Sequence, residues 1–400
     1  MTVKQNLVRI TQRVRSEKYG QAAYFIALIV FLTALFFKST LFIPGWTNYS
    51  FLYRIIEIDA FLVAYKVFIV DDHKLNFKLF TFLFLIALLY VQRFSRNFDI
   101  FYYSLFVIGG YKIDYRKILK IFLRVNIPLT LLTIIATLLK IIPNQLQGRI
   151  GEPGMIRYSM GFLSPTDFAA RVFYLILCYL ILHKMKISIS AYLVCGGATY
   201  LMFCLTNARL DTLLLFLLLL TSCLFPYIQS LIVKMGHVGW YVCSCVYIAV
   251  NVFLAYFYSA SNPLLARIDG LLSGRLRYGQ IALHEHGITL FGQMIKEHGN
   301  GGIQHGNFEY FFVDSSFIRM FVILGLAASM LFFVVLFLLF LKFEKNMAYV
   351  LVVYVLFVLL SSAFDQHLLD PSYNVMFLAL FGNLKHEKIR DDSKKIFCSQ

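Results

Sequence analysis

Apolar runs of about 18–25 residues recur along this chain with only short polar breaks between them. Nothing else in the sequence restricts the fold as much. Such runs are continuous rather than alternating, so they describe helices that cross a bilayer and exclude a β-barrel. The candidate spans are 24–43, 49–70, 77–92, 97–110, 118–142, 166–184, 187–206, 209–227, 238–258, 318–341, 346–364 and 371–384, about twelve in all. The expectation is an all-α, polytopic integral membrane protein forming a single domain over 1–400. Composition agrees: 60% of the residues are hydrophobic and 14% are charged, against roughly 25% charged in soluble domains. The second span carries Arg54, Glu57, Asp59 and Lys66, so it is read as buried among other helices or partly interfacial. The first is read as an uncleaved span rather than a signal peptide.

The net charge of +16 is read as topogenic. With the N-terminus inside, the inner segments hold Lys74 and Lys78; Lys112, Arg116, Lys117 and Lys120; Lys184 and Lys186; Lys234; Lys342 and Lys345; and the basic tail from Lys385 to Lys395. The alternation runs along the whole chain. It places both termini in the cytoplasm and the segments 143–165 and 259–312 outside. The basic residues form no stripe, which excludes nucleic acid as a partner. Seven cysteines lie in apolar runs or in the tail, so no disulfide framework or cysteine-based zinc site is expected.

The segment 259–312 is the one large polar stretch. It holds Arg267, Asp269, Arg275, Arg277, His284, Glu285, His286, Lys296, Glu297, His298, His305 and Glu309. A helix is expected from Gly274 to about His286, with Ser273 as its N-cap and Gly287 as its stop. Leu272, Leu276 and Leu283 would form its apolar stripe, and Arg277, Gln280, Ile281 and His284 another face. A helix N-terminus flanked by Arg275 and Arg277 is an anion site by expectation. The bland alternative is an amphipathic lid on lipid phosphate. His284 and His286 are two residues apart and cannot share a helical face, so no metal site is expected. Three further sets of charges sit where spans meet the outer surface: Arg157, Arg209, and the pair Asp314 and Arg319, which are close enough in sequence to bridge each other. Their bland reading is snorkelling at helix ends.

The order of these elements resembles a known family. Arg157-Tyr158-Ser159-Met160-Gly161-Phe162 is followed by Thr206-Asn207-Ala208-Arg209 between two spans. Then come Ser273-Gly274-Arg275, Leu290-Phe291-Gly292, Val313-Asp314-Ser315-Ser316-Phe317 and Leu324-Gly325-Leu326. Over about 150–385 the chain is similar to the Wzy-type polysaccharide repeat-unit polymerases, which are related to the O-antigen ligases. It departs from them in having Ser164-Pro165-Thr166 where relatives carry a His-Pro-Asn-like element. It also has Asp314-Ser315-Ser316-Phe317 where they carry Asp-Asn-Ser-Tyr. The ligases place a functional histidine near the position of Asp314, and its absence favours polymerase over ligase.

The resemblance implies glycosyl transfer on the outer face of the bacterial cytoplasmic membrane. A glycan on polyprenyl diphosphate would be the donor and a lipid-linked repeat unit the acceptor. Membrane lipid, a flippase and a chain-length regulator would be the partners, and no cofactor would be needed. Arg157, Arg209 and Arg275 would clamp the diphosphate. Asp314, His284 and His286 are the candidate bases. Asp269, Arg277, Tyr278 and Arg319 would contact substrate, and Phe308 and Tyr310 could stack on sugars. Two other readings stand beside this one: a ligase, and a flippase or transporter. The second needs charge through both leaflets, whereas here charge concentrates on one side.

Overall fold

The computed structural model describes residues 3–43, 50–149, 152–299, 301 and 310–388. His305, Phe308 and Glu309, named above, lie outside the described residues. The described residues are mostly helical, with one small hairpin among them. In order the elements are α1 (Val3–Lys38), α2 (Ser50–Tyr65), α3 (Leu75–Ser95), α4 (Asp99–Gly109), α5 (Tyr115–Leu138), β1 (Leu146–Arg149), β2 (Glu152–Tyr158), α6 (Pro165–Leu182), α7 (Ile189–Thr206), α8 (Arg209–Cys223), α9 (Phe225–Tyr256), α10 (Pro263–Leu271), α11 (Arg275–Ile281), α12 (Ser316–Arg319), α13 (Gly325–Lys345) and α14 (Tyr349–Ser362). Among the described residues seven helical stretches are long and apolar enough to cross a bilayer: Glu17–Lys38, Leu75–Ser95, Tyr115–Leu138, Pro165–Leu182, Ile189–Thr206, Phe225–Tyr256 and Ser316–Lys345. Asp99–Gly109 and Tyr349–Ser362 are shorter apolar helices.

Burial sorts these helices into centre and rim. The most apolar part of α6 is 72% buried inside the protein, that of α9 only 17%. So α6 is a central helix and α9 spends its apolar surface on lipid. α14 is also central, enclosed from Tyr349 to Ser362 on nearly every face. α6 packs against α5, α7, α8 and α14, and α14 also against α8, α9 and α13, while α1 lies on the far side of α5 and meets α4 where Phe31 and Phe106 stack with centroids 4.2 Å apart.

The last expected span, 371–384, is not a helix. It contains one 3₁₀ turn, Met376–Ala379, in an otherwise irregular chain. Its residues are apolar because they are covered by protein: Tyr373, Val375, Met376, Leu378 and Ala379 are essentially inaccessible. Irregular backbone at membrane depth needs its polar groups met by neighbours, and here they are. Tyr103 donates its hydroxyl to Asn374 O (2.9 Å), Tyr115 to Val375 O (3.3 Å), and Lys342 to Leu380 O (2.8 Å) and Gly382 O (2.5 Å). Val375 N donates to the Tyr354 hydroxyl at 3.1 Å. The segment ends beside the start of α5, where Tyr115 N donates to Asn383 O.

The second expected span divides as its charges demand. Asp59 and Lys66 are buried, Lys66 donating to Asp71 at 2.8 Å and to Tyr111 O at 3.0 Å, whereas Arg54 and Glu57 are exposed. The break expected between the eighth and ninth spans lies at Gly236, whose non-helical φ 65° and ψ 179° divide the run Phe225–Tyr256 into two helices, kept under the one label α9.

The polar segment after α9 folds as α10, α11, one π-helical turn at Ala282–His286 and irregular chain beyond. Two stretches singled out in the sequence meet here. Gln293 N donates to Ile323 O (2.9 Å), Leu326 N to Thr289 O (3.0 Å) and Ala327 N to Leu290 O (2.9 Å), so residues 289–293 lie against the break between α12 and α13. Gly292 (φ 84°) and Gly325 (φ 85°) face each other there. A Cβ on Gly325 would lie 2.2 Å from Gly292 N, which no side chain tolerates.

Candidate functional site

The ends of α1, α6, α8, α11, α12 and α14 gather Asp167, Arg171, Asp211, Arg275, Asp314, Asp365 and His367 at one end of the bundle. Ser164 caps α6, accepting from Asp167 N at 3.1 Å and donating to the Asp167 carboxylate at 2.8 Å. This fixes Asp167 in the first turn, where the helix dipole favours an anion. α14 stops at Ser362, and the chain behind it is held by Ser316, whose N–H donates to Asp365 O (3.1 Å) and whose hydroxyl accepts from Leu368 N (3.2 Å). The result is that His367 Nε2 lies 3.3 Å from Asp167 Oδ1 and 3.2 Å from Asp365 Oδ1, between two carboxylates. The alignment is that of an ion pair shared by two acids rather than of one straight hydrogen bond.

A stack holds the imidazole. The His367 and Tyr373 rings are parallel, 7° apart in plane with centroids 3.4 Å apart. The Arg171 guanidinium covers the other face of this region, 3.7 Å from the Tyr373 centroid and 4.9 Å from that of Phe36. Arg171 is fully buried in the middle of the first two turns of α6. Its charge is met by Asn126 Oδ1 (3.1 Å), Ser39 Oγ (3.0 Å), Ser372 Oγ (3.3 Å) and Ser372 O.

Arg275 joins this cluster from the loop. Its Nε donates to Phe364 O at 3.3 Å, Nη1 to Leu272 O at 3.2 Å, and Nη2 lies 3.5 Å from Asp314 Oδ2. Arg275, His367 and Asp365 are all within electrostatic reach of Asp211, in the first turn of α8. Burial pushes the Asp314 carboxyl above the usual range, opposed by Arg275. Asp365 is pushed up to about 6 by burial, with His367 opposing and Asp167 and Asp314 adding. For His367 burial works against protonation, but Asp365 and Asp167 outweigh it and raise its pKa. Tyr310 is raised by burial and by Asp314. The arrangement is an acid-rich centre holding two arginines, Arg171 and Arg275, and one histidine.

Several expectations change in detail. Ser273 does not cap α11. It is left-handed (φ 55°), Gly274 stands at the cap, and the helix runs only from Arg275 to Ile281 before the π turn. The free amides at its start are taken: Asp269 Oδ1 accepts from Leu276 N (2.8 Å) and Arg277 N (3.2 Å). That end is therefore neutralised from within, with Asp269 as its cap. Arg319 does not pair with Asp314. It binds Glu297 at 2.7 Å, and Glu297 also accepts from Val313 N. Arg277 turns outward, donating to the Tyr278 hydroxyl at 2.8 Å, and Tyr278 packs edge-on against Tyr310.

His284 bonds Tyr256 O at 3.1 Å and stacks on that ring, and His286 lies against Phe311, so the π turn carries both away from the acid cluster. Arg157, on β2, donates to Thr206 O at 2.5 Å, which sets it on the turn leading to Arg209. Arg209 is exposed at the start of α8, two residues from Asp211. So the three arginines do not form one clamp. Arg275 sits at the centre, and Arg157 and Arg209 share a neighbouring turn.

Asp365 and His367 were not singled out in the sequence. Their signal was present: Asp365, His367 and Asp370 interrupt two apolar runs at the end of the chain's alternation that also holds Arg157, Arg209 and Asp314. Fold and site together define a helical membrane protein with a buried, mixed-charge cluster at one end of its bundle. No protein-family model matches the chain, and no curated protein or solved structure is significantly similar to it.

Proposed function

We propose that this protein is a membrane glycosyltransferase that polymerises polyprenyl-diphosphate-linked repeat units into a capsule-, exopolysaccharide- or O-antigen-type glycan on the outer face of the cytoplasmic membrane. One observation carries the reading: Arg275 and Asp314 from the polar loop meet Asp365 and His367 at one end of an otherwise apolar bundle. The order of motifs shared with the repeat-unit polymerases adds to it.

In the reaction the acceptor hydroxyl oxygen bonds to the anomeric carbon of the donor glycan. The anomeric carbon–oxygen bond to diphosphate breaks, and polyprenyl diphosphate leaves with the electron pair. The hydroxyl proton needs an acceptor. His367 takes this role in place of His284 and His286, because Asp167 and Asp365 are placed to hold the ring and to stabilise the imidazolium that forms. The carboxylates also suit sugar hydroxyls, as acceptors. Arginine suits the leaving diphosphate, by bidentate geometry. Arg275 serves it from the centre and Arg157 and Arg209 from the flank.

The test is reconstitution of the purified chain in liposomes with polyprenyl-diphosphate-linked repeat units alone. A ladder of longer lipid-linked glycans, formed without nucleotide sugar, is expected. His367→Gln should slow it about 100-fold or more, the usual weight of a general base. Transbilayer movement of substrate with no new glycosidic bond would instead establish a transporter.

A further inference from the structure

Two cavities open along the face of the bundle between α3, α4 and α13. The larger, of about 310 Å³, is walled by Phe77, Phe84 and Tyr103 on one side and by Ala328, Leu331 and Phe377 on the other. The smaller, of about 150 Å³, continues from it past Leu88 to Gln92 and Ser95. Phe84, Ile100, Ala328 and Leu331 line both, so they are one groove. From Phe77 to Ser95 on α3 the groove extends about 27 Å, at about 1.5 Å per residue.

Its two ends differ. The body is apolar along its length. At the Ser95 end Gln92, which is 3% exposed, turns its amide into the wall. Gln92 Oε1 accepts from Phe101 N at 3.2 Å, and its Nε2 is buried with no hydrogen-bond partner among the described residues. Just beyond this end Asp99 binds Lys38 at 3.0 Å, and the next residue, Ser39, accepts from Arg171, so the Gln92 end is the one that faces the charged cluster. A hydrocarbon occupant with a polar head would place that head there.

The hydrocarbon core of a bilayer is about 30 Å thick, so one phospholipid tail, reaching about 15 Å from its own leaflet, fills about half of this groove, whereas a single longer chain can run through it from a head at the charged end. We infer that this groove binds the isoprenoid chain of a polyprenyl diphosphate, with the diphosphate at the Gln92 end. The inference rests on the proposed reading for the identity of the lipid, and it adds where the lipid lies.

The probe is polyprenyl diphosphate without sugar, carrying a photoactivatable diazirine midway along its chain, added to the full-length protein in phospholipid nanodiscs. Mass spectrometry locates the labelled residues. Labelling is expected on the groove faces of α3 and α13, displaced at least tenfold more readily by unlabelled polyprenyl diphosphate than by diacyl phosphatidylglycerol. Ala328→Trp narrows the shared section and Ser104→Phe the larger cavity, and each should cut labelling at least fivefold. Melting temperatures report whether each variant is folded, and the wild-type competition stands without them. Equal displacement by both lipids, or labels spread around the bundle, would overturn the inference in favour of ordinary annular lipid. Because the readout is binding, it is independent of polymerisation. A groove that labels as expected in a protein that makes no polymer would sink the polymerase reading alone. A polymerase that labels elsewhere would sink the groove alone.

Discussion

Replacing Gly325 by alanine tests whether the contact between residues 289–293 and the start of α13 is the close backbone approach described above. Two costs add. With φ 85° and ψ 173°, Gly325 occupies a region in which an L-residue is strained by about 1–3 kcal/mol. The new Cβ would also stand 2.2 Å from Gly292 N and 2.8 Å from Phe291 C, so one strand of backbone must retreat. Three hydrogen bonds cross this contact, at 2.9, 3.0 and 2.9 Å. Retreat weakens them at about 1 kcal/mol each. A total near 5 kcal/mol is expected, about 2 from strain and about 3 from the hydrogen bonds. Gly287→Ala is the control: its φ is 66°, but nothing lies within 4 Å of a Cβ there, so only the strain of about 2 kcal/mol applies. Equilibrium unfolding of both variants and the wild type in mixed micelles measures the difference. If Gly325→Ala is no less stable than Gly287→Ala, the two backbones do not touch and the reasoning fails.

Further expectations concern charge. Arg275→Lys should lower polymer yield more than its effect on protein level, because an ammonium cannot bridge Phe364 O, Leu272 O and Asp314 together; wild-type glycan lengths at equal protein level would remove Arg275 from the site. Arg171→Ala should cost about 3 kcal/mol or more, since it opens a cavity and strands Asn126 and Ser372, and a melting temperature matching the wild type would refute this. The pH dependence of stability has a definite sign. His367 is raised, so its contribution is whole below its ordinary value near 6.5 and is lost as the pH climbs through the folded value. Asp365, raised to about 6, acts in the same direction at lower pH. The stability advantage of wild type over His367→Gln should therefore shrink from pH 6 to pH 9 in melting curves, and a growing advantage would contradict it. Finally, cysteine at Gly301 in a cysteine-free background should react with an impermeant thiol reagent in intact cells; labelling only after permeabilisation would reverse the topology.

Hydropathy located the helices well because a span needs nothing but length and apolar content, and α3, α6 and α7 begin and end within a few residues of where their runs do. It failed at 371–384 because burial in protein and burial in lipid demand the same residues. Only the partners, Tyr103, Tyr115, Tyr354 and Lys342, distinguish the two, and they lie far away in sequence. The loop was legible in its stop, Gly287, but not in its cap. Asp269 reaches back from α10 to serve amides seven and eight residues on, and no local pattern announces that. In the same way the loop histidines drew attention by crowding. His367, alone between two apolar runs, became visible only when α6 brought Asp167 to it.

The irregular segment after α14 bears on how the molecule is made. A helix satisfies its own backbone and can leave the insertion machinery for lipid by itself. Residues 371–384 cannot, because the groups that satisfy them belong to α4, α5, α13 and α14. They have a place to go only after those helices have already assembled. His367 and Tyr373 belong to the same stretch of chain, so the charged cluster closes after the bundle does. A chain clipped before residue 365 would keep its helices through α14 and lack the cluster, so bundle and cluster can be lost separately.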